Sequence, residues 1–425
     1  MSPGCKALPR RPALDIRFPC CAGAEVPQKT VVVCVRRLRP NGTIHQQVRT
    51  FGTMTADRLA RSAWRAHDGL TDVAMASTGV YGRPLCNLLE GVFPVLLVNP
   101  QHRPRVPGRK TDVQDCAWIA PLLQCGLLPP RFIPPRPVRE LRELTRQRVQ
   151  LTAAKTAAVH RIPKTLDDAS SQRAAVATDV LGKSGRVRIR ALIAGQDDPD
   201  VLAKLACGAL QKKLSALKVA LHGRVPEHHR LLLQLLLDHV ASVARRIERL
   251  DPRIYRWSTP LQETMRNLDT IAGTHRRGAA CLVAELGTDM EPLPQATPLA
   301  SWAGLCPGNR HSGGTSQGGK IRKGNRWLRR LRVQAAWAAS RTQGSSRRAE
   351  YQRLKGRRGQ KRAAVALAHT LLVMAYYVIQ RGVASQELGA DYFDRQPPEE
   401  LTKSLVRRLE RLGHKVTREP KDDAA

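Results

Sequence analysis

The chain has 425 residues, with 71 Lys and Arg against 35 Asp and Glu, a net charge of +36 and a pI near 11.0. That length implies two or three domains, each able to bury a core. A basic excess this large, spread over the whole chain, points to nucleic acid or an anionic membrane surface as partner and argues against a merely solvated basic face.

Residues 1–20 are broken by Pro and Arg and read as a loose, disordered extension without the apolar core of a secretory signal. Short β-type runs follow at 30–35, 73–76 and 95–98, with helical stretches around 55–66 and 112–123. Strands followed by helices predict an α/β domain ending near residue 165. In the helix after Pro137, Arg139, Arg142 and Arg146 form one stripe, and Leu141, Leu144 and Leu151 form the stripe that packs inward.

The middle is helical. Leu233, Leu236, Val240, Val243, Ile247, Leu250 and Ile254 alternate 3 and 4 spacings, which predicts a helical hairpin or a coiled coil able to join subunits. From Asn267 a third segment carries a helix over 278–285, a Gly/Ser-rich loop over 311–319 and a helix over 327–341. The apolar run 363–379 contains His369 and reads as a buried helix, near the lower length limit for a membrane span. Residues 397–425 form a charged tail. The ten cysteines show neither a C-x-x-C pair nor zinc spacing, so they read as reduced thiols of a cytosolic core.

The strongest chemical signal is Asp112 and Asp115, three apart at the start of a helical pattern and therefore on one face. Two convergent carboxylates can hold a hard divalent cation; acidic residues also favour a first helical turn through the macrodipole. The preceding loop holds Arg103, Arg105, Arg109 and Lys110, which would bring a polyanion to that cation. A second basic group, Arg322, Lys323, Arg326, Arg329 and Arg330, gathers around Trp327. Such Arg clusters read as phosphate contacts, which position nucleic acid without specifying its sequence. Trp302, Trp327 and Trp337 read as core residues.

Longer motifs carry a resemblance. Val106-Pro-Gly-Arg-Lys-Thr-Asp-Val-Gln-Asp115 and Phe132-Ile-Pro-Pro-Arg-Pro-Val-Arg-Glu-Leu-Arg142 resemble the N-terminal domain of the DEDD transposases of insertion-sequence family 110. Leu299-Ala-Ser-Trp-Ala-Gly-Leu-Cys-Pro-Gly-Asn309, Lys323-Gly-Asn325, Arg357-Arg-Gly-Gln-Lys-Arg-Ala-Ala364 and Leu388-Gly-Ala-Asp-Tyr392 are similar to the C-terminal domain of the same family. The resemblance implies an α/β RuvC-like (RNase H-type) domain over 21–165, a helical, coiled-coil linker over 166–266 and a mainly α transposase domain over 267–396.

It also implies DNA cleavage and strand rejoining by metal-bound carboxylates, with Mg²⁺ or Mn²⁺, acting together with a serine that becomes joined to DNA. Ser312 stands at that serine's position. The implied partners are element ends and target DNA, a structured guide RNA and further copies of the chain, in the cytoplasm near the nucleoid, with no membrane.

The chain departs from the family pattern of Asp, Glu, Asp, Asp. Glu25, in Cys21-Ala-Gly-Ala-Glu-Val26, stands for the first Asp, and Ala76 stands where the second carboxylate belongs, leaving Glu25, Asp112 and Asp115 as metal ligands. Asp15 is an outside candidate for the first ligand. Pro27 directly after Glu25, Ala272 in place of a turn proline, and Pro121 and Pro163 inside helices predict further damage, since an interior proline costs a helix roughly 3 kcal/mol. These departures predict a transposase with impaired catalysis; the alternative is an inactive remnant that still binds DNA or RNA.

Overall fold

In a computed structural model, the chain is described over residues 15–27, 29–52, 69–77, 82–90, 94–98, 111–128, 134–169, 181–308, 311–316, 321, 323–393, 402, 406–407 and 409–417. The predicted helix at 55–66 and the side chains of Arg105, Arg109, Lys110 and Arg322 lie outside the described residues. Contacts divide the chain into two compact units, Met1–Arg136 and Pro137–Ala425.

The first unit is built on a five-stranded sheet of β1 (Cys20–Val26), β2 (Thr30–Leu38), β3 (Ile44–Gly52), β4 (Asp72–Ser77) and β5 (Val95–Val98), in the order β3-β2-β1-β4-β5. β1, β2 and β3 form an antiparallel meander, while β4 runs parallel to β1 and β5 parallel to β4. Alternate side chains leave opposite faces. Ala22, Ala24 and Val26 join Val73 and Met75 against Leu85 and Leu89 of α1 (Gly82–Leu89). On the other face Cys21, Ala74, Ala76 and Val98 pack with Ile119 and Leu123 of α2 (Asp112–Gln124). A Cβ at Gly23 would lie 2.6 Å from the Ala120 nitrogen and 2.7 Å from the Cys116 oxygen, so the α2 backbone rests directly on the β1 backbone there.

The second unit is helical: α3 (Arg136–Asp168), α4 (Lys183–Ile193), α5 (Pro199–Lys204), α6 (Leu214–Leu221), α7 (Glu227–Trp257), α8 (Gln262–Asp269), α9 (Arg276–Leu286) and α10 (Ala296–Trp302), then α11 (Arg326–Ala339), α12 (Ser346–Arg358) and α13 (Gln360–Arg381). A two-stranded hairpin, β6 (His311–Ser312) and β7 (Thr315–Ser316), lies between α10 and α11. One core gathers Ala158, Ile162 and Leu166 of α3 with Leu202, Leu217, Leu221, Leu233 and Val240. The other gathers Leu141 of α3 and Ile254 of α7 with α9, α11 and α13. The two long helices α3 and α7 thus run between the same two cores in opposite directions, which buries Leu233, Val240, Val243 and Ile254 of the heptad seam. At 22 residues, with mean hydropathy 1.6 over its most apolar 18, α13 is long and apolar enough to cross a membrane, yet Leu367, Leu371, Leu372 and Tyr376 are buried in this core.

Several sequence expectations change. Arg17 and Phe18 donate backbone hydrogen bonds to the Gln124 carbonyl, and Phe18 packs on the α2 side of the sheet, so the supposed loose extension joins the fold before residue 20. Pro27 lies just past the end of β1 and interrupts nothing. α2 continues through Pro121 and α3 through Pro163; each missing bond is offset by flanking burial, of Ile119, Ala120 and Leu123 in one case and Ile162 and Leu166 in the other. The turn at Ala272 also survives: the Thr274 amide donates to the Ile271 carbonyl at 2.9 Å, and Gly273 supplies φ +78°. Trp302 is 40% exposed, not a core residue, while Trp337 does pack against the larger core.

Candidate active site

Glu25 is the sixth residue of β1 and emerges on the face covered by α2. Thr111 caps α2 by accepting a hydrogen bond from the Gln114 amide at 3.2 Å, which places Asp112 and Asp115 in the first turn. The acids suit the helix start and also converge on Glu25. One carboxylate oxygen from each of Glu25, Asp112 and Asp115 lies within 4.8 Å of the others. Glu25 is buried, Asp115 half-buried and Asp112 exposed, and Glu25 Oε2 and Asp115 Oδ2 are shut off from solvent.

Three carboxylates so close are a hard, all-oxygen donor set, which fits Mg²⁺ or Mn²⁺. Cys116 and Cys34 line the same side of the sheet, and burial pushes their thiols up to about 12 and about 11.

Ala76 is the in-register partner of Glu25 on the neighbouring strand, which is where a fourth carboxylate would stand. It is 1% exposed, in a patch with Cys21, Val98, Ile119 and Leu123. Asp72 is four residues back along β4, about 13 Å at strand rise, and pairs with Cys21. Asp15 precedes the segment bonded to Gln124, at the opposite end of α2 from the cluster, so it is no substitute ligand.

Ser312 lies in the second unit and is not among the residues that the sheet gathers. It ends β6 and pairs with Thr315 across Gly313 and Gly314, whose φ angles of +57° and +75° make a two-residue turn of the type that needs both central residues left-handed. The turn itself thus requires both glycines.

The basic stripe on α3 divides. Arg142 donates to the carbonyls of Ala284 and Glu285, both at 2.8 Å. Arg146 forks onto the Glu285 carboxylate at 2.6 and 2.8 Å. These two guanidiniums are bound inside the helical unit, which corrects their assignment to a phosphate-facing stripe; Arg139 is half-buried. Lys323 and Arg326 are exposed. The Trp327 ring lies beneath Arg146 at 5.5 Å and Arg326 at 4.9 Å, so cations occupy the ring expected in a core.

Sequence reasoning missed Glu285, a buried acid at the C-terminal end of α9. Its signal was a lone acid in an apolar helix, with nothing local to identify its partners.

Residues 22–170 match the family model for a DEDD transposase of IS110 type, and residues 265–352 match that of the transposase IS116/IS110/IS902 family. Together the two matches span more than half of the sequence. No curated protein matches.

Proposed function

The chain belongs to the IS110 family of transposases and is a DNA transposase by kind; from that premise we propose that it cuts and rejoins DNA strands with a cation held by Glu25, Asp112 and Asp115 and with Ser312 as nucleophile. The observation that carries the reading is the convergence of the three carboxylates within 4.8 Å. Ser312 Oγ forms a bond to phosphorus as the bond to the leaving deoxyribose oxygen breaks, and the serine proton passes to that oxygen or to water. Attack by a deoxyribose hydroxyl on the phosphoserine reverses the exchange and rejoins the strand. When bound, Mg²⁺ or Mn²⁺ would supply charge stabilisation on the phosphoryl oxygens. Lys323, Arg326 and Arg139 hold phosphates of the DNA, together with Arg105, Arg109, Lys110 and Arg322. A structured guide RNA, further copies of the chain and a cytoplasmic setting near the nucleoid complete the proposal.

This copy is a slow recombinase. Ala76 brings no ligand to the place beside Glu25, and Glu25 reaches one methylene further than an aspartate. The alternative, a nucleic-acid-binding remnant, is favoured by the same Ala76 within its apolar patch.

The test compares the natural chain with a Glu25→Asp, Ala76→Glu variant, supplied with element ends and the adjacent RNA. Restored alignment should raise the rate of protein–DNA adduct formation by about a hundredfold. Ser312→Ala in the repaired background should abolish the adduct. Full activity of the natural chain would overturn the carboxylate argument, and an adduct that survives Ser312→Ala would remove the serine from the mechanism. Activity in neither form, with DNA binding intact and both proteins folded, would favour the remnant.

A further inference from the structure

The hairpin that carries Ser312 is held at its root. Pro307 and Ile321 form an antiparallel bridge. Just beyond, a Cβ at Gly324 would lie 2.3 Å from the Gly304 nitrogen, so this stretch rests directly on the turn that ends α10. Asn325 comes next and is tied in four ways. Its backbone amide donates to the Trp302 carbonyl at 3.0 Å. Its side-chain oxygen accepts from the Trp327 amide at 2.9 Å and the Leu328 amide at 3.2 Å, which caps α11. Its side-chain nitrogen donates to Glu285 Oε2 at 2.7 Å. Glu285, 4% exposed, is in turn gripped by Arg146.

The cap alone does not explain this asparagine. Asp caps a helix as well as Asn, and Ser nearly so. Unlike an aspartate, the amide caps α11 with its oxygen and at the same time donates to a buried carboxylate. A buried charge cluster is also no requirement for stability, since well-packed apolar residues often serve as well. What the Glu285–Asn325 contact adds is a fixed position for the root of the hairpin.

We propose that Glu285 is a positioning residue which, through Asn325, holds the Ser312 hairpin in the place its chemistry needs. The catalytic part of this proposal rests on the reading of Ser312 as nucleophile; the anchoring of the hairpin does not.

The test uses Asn325→Asp, Glu285→Gln and the double variant in the full-length protein. Asn325→Asp keeps the cap but sets a carboxylate against Glu285. The amides of residues 312–316 should then lose protection from hydrogen exchange by more than the amides of the surrounding helices. In the natural and the Glu25→Asp, Ala76→Glu backgrounds, adduct formation at saturating DNA should fall by about tenfold to a hundredfold, with DNA affinity unchanged. Adding Glu285→Gln restores a donor–acceptor pair with the direction reversed, and should recover both protection and rate. A general loss of stability would lower protection across the surrounding helices and not in residues 312–316 alone. Unchanged protection in Asn325→Asp, or no recovery in the double variant, overturns the anchoring. If protection follows the pairing but Ser312→Ala still forms the adduct, the Ser312 reading falls and the catalytic part of the proposal with it.

Discussion

Glu25 and Glu285 are both buried carboxylates, 6% and 4% exposed, one on a strand of the first unit and one on a helix of the second. Their company is opposite. Glu285 accepts from Arg146 and Asn325, with Arg142 Nε 3.8 Å away. Glu25 faces Asp112 and Asp115. The same chemical group thus closes a network with cations in one unit, and in the other stands among further acids that could hold a metal ion. A buried acid is informative through the sign of the charges around it more than through its burial.

The sharpest way to break this comparison is to delete each acid. Glu285→Ala leaves two guanidiniums without their carboxylate and should cost the second unit about 3–5 kcal/mol in chemical denaturation. A loss below about 1 kcal/mol would show that the network is loosely made.

Arg332 extends the comparison to a buried cation. It is fully buried in α11; its bond to Thr274 Oγ1 is 3.3 Å, and its Nε and Nη1 atoms have no hydrogen bond. Burial pushes its guanidinium down to about 10. For a base whose folded value is lowered, the protonated form is disfavoured in the fold. The penalty is therefore in force throughout the neutral range and is relieved only as pH rises past about 10. Arg332→Met should stabilise the protein by about 1–4 kcal/mol at pH 7; a fall in melting temperature would show that the charge is compensated.

Glu25→Gln should behave as the mirror image of Glu285→Ala. Without metal it relieves repulsion from Asp115, worth about 1–3 kcal/mol for effective dielectrics from about 80 down to 20. With millimolar Mn²⁺ the order should reverse, because the natural chain gains more from the ion. Identical melting shifts in both conditions would rule out Glu25 as a ligand. The smallest effect is calorimetric: Mn²⁺ should show one weak site that disappears in Asp112→Asn, and tight binding that survives this change would move the site elsewhere.

What could be read in advance followed side-chain pattern. β2 and β5 are rich in Val and Leu, β4 carries the apolar run Val73-Ala-Met-Ala76, and all three were legible as strands; the 112–115 spacing put two acids on one face. β1 was missed because Cys-Cys-Ala-Gly-Ala-Glu-Val is mostly small residues of weak strand preference. β3 was missed because it is a polar edge strand, largely exposed. Glu25 could therefore be named only from the motif that it resembles. The Glu285 network was beyond reach, since Arg146 and Glu285 are 139 residues apart and no spacing rule joins them. The Arg142 and Arg146 stripe was visible as a stripe, but its acid lay on another helix.

The contact at Gly23 bears on which ion the three carboxylates could hold. Since main chain meets main chain there, the spacing of β1 and α2 would be the same for any ion. Small, strictly octahedral Mg²⁺ and larger, more permissive Ca²⁺ meet the same aperture. Discrimination between them would then fall to the lengths of the side chains at positions 25, 112 and 115, which single substitutions change while the helix stays seated.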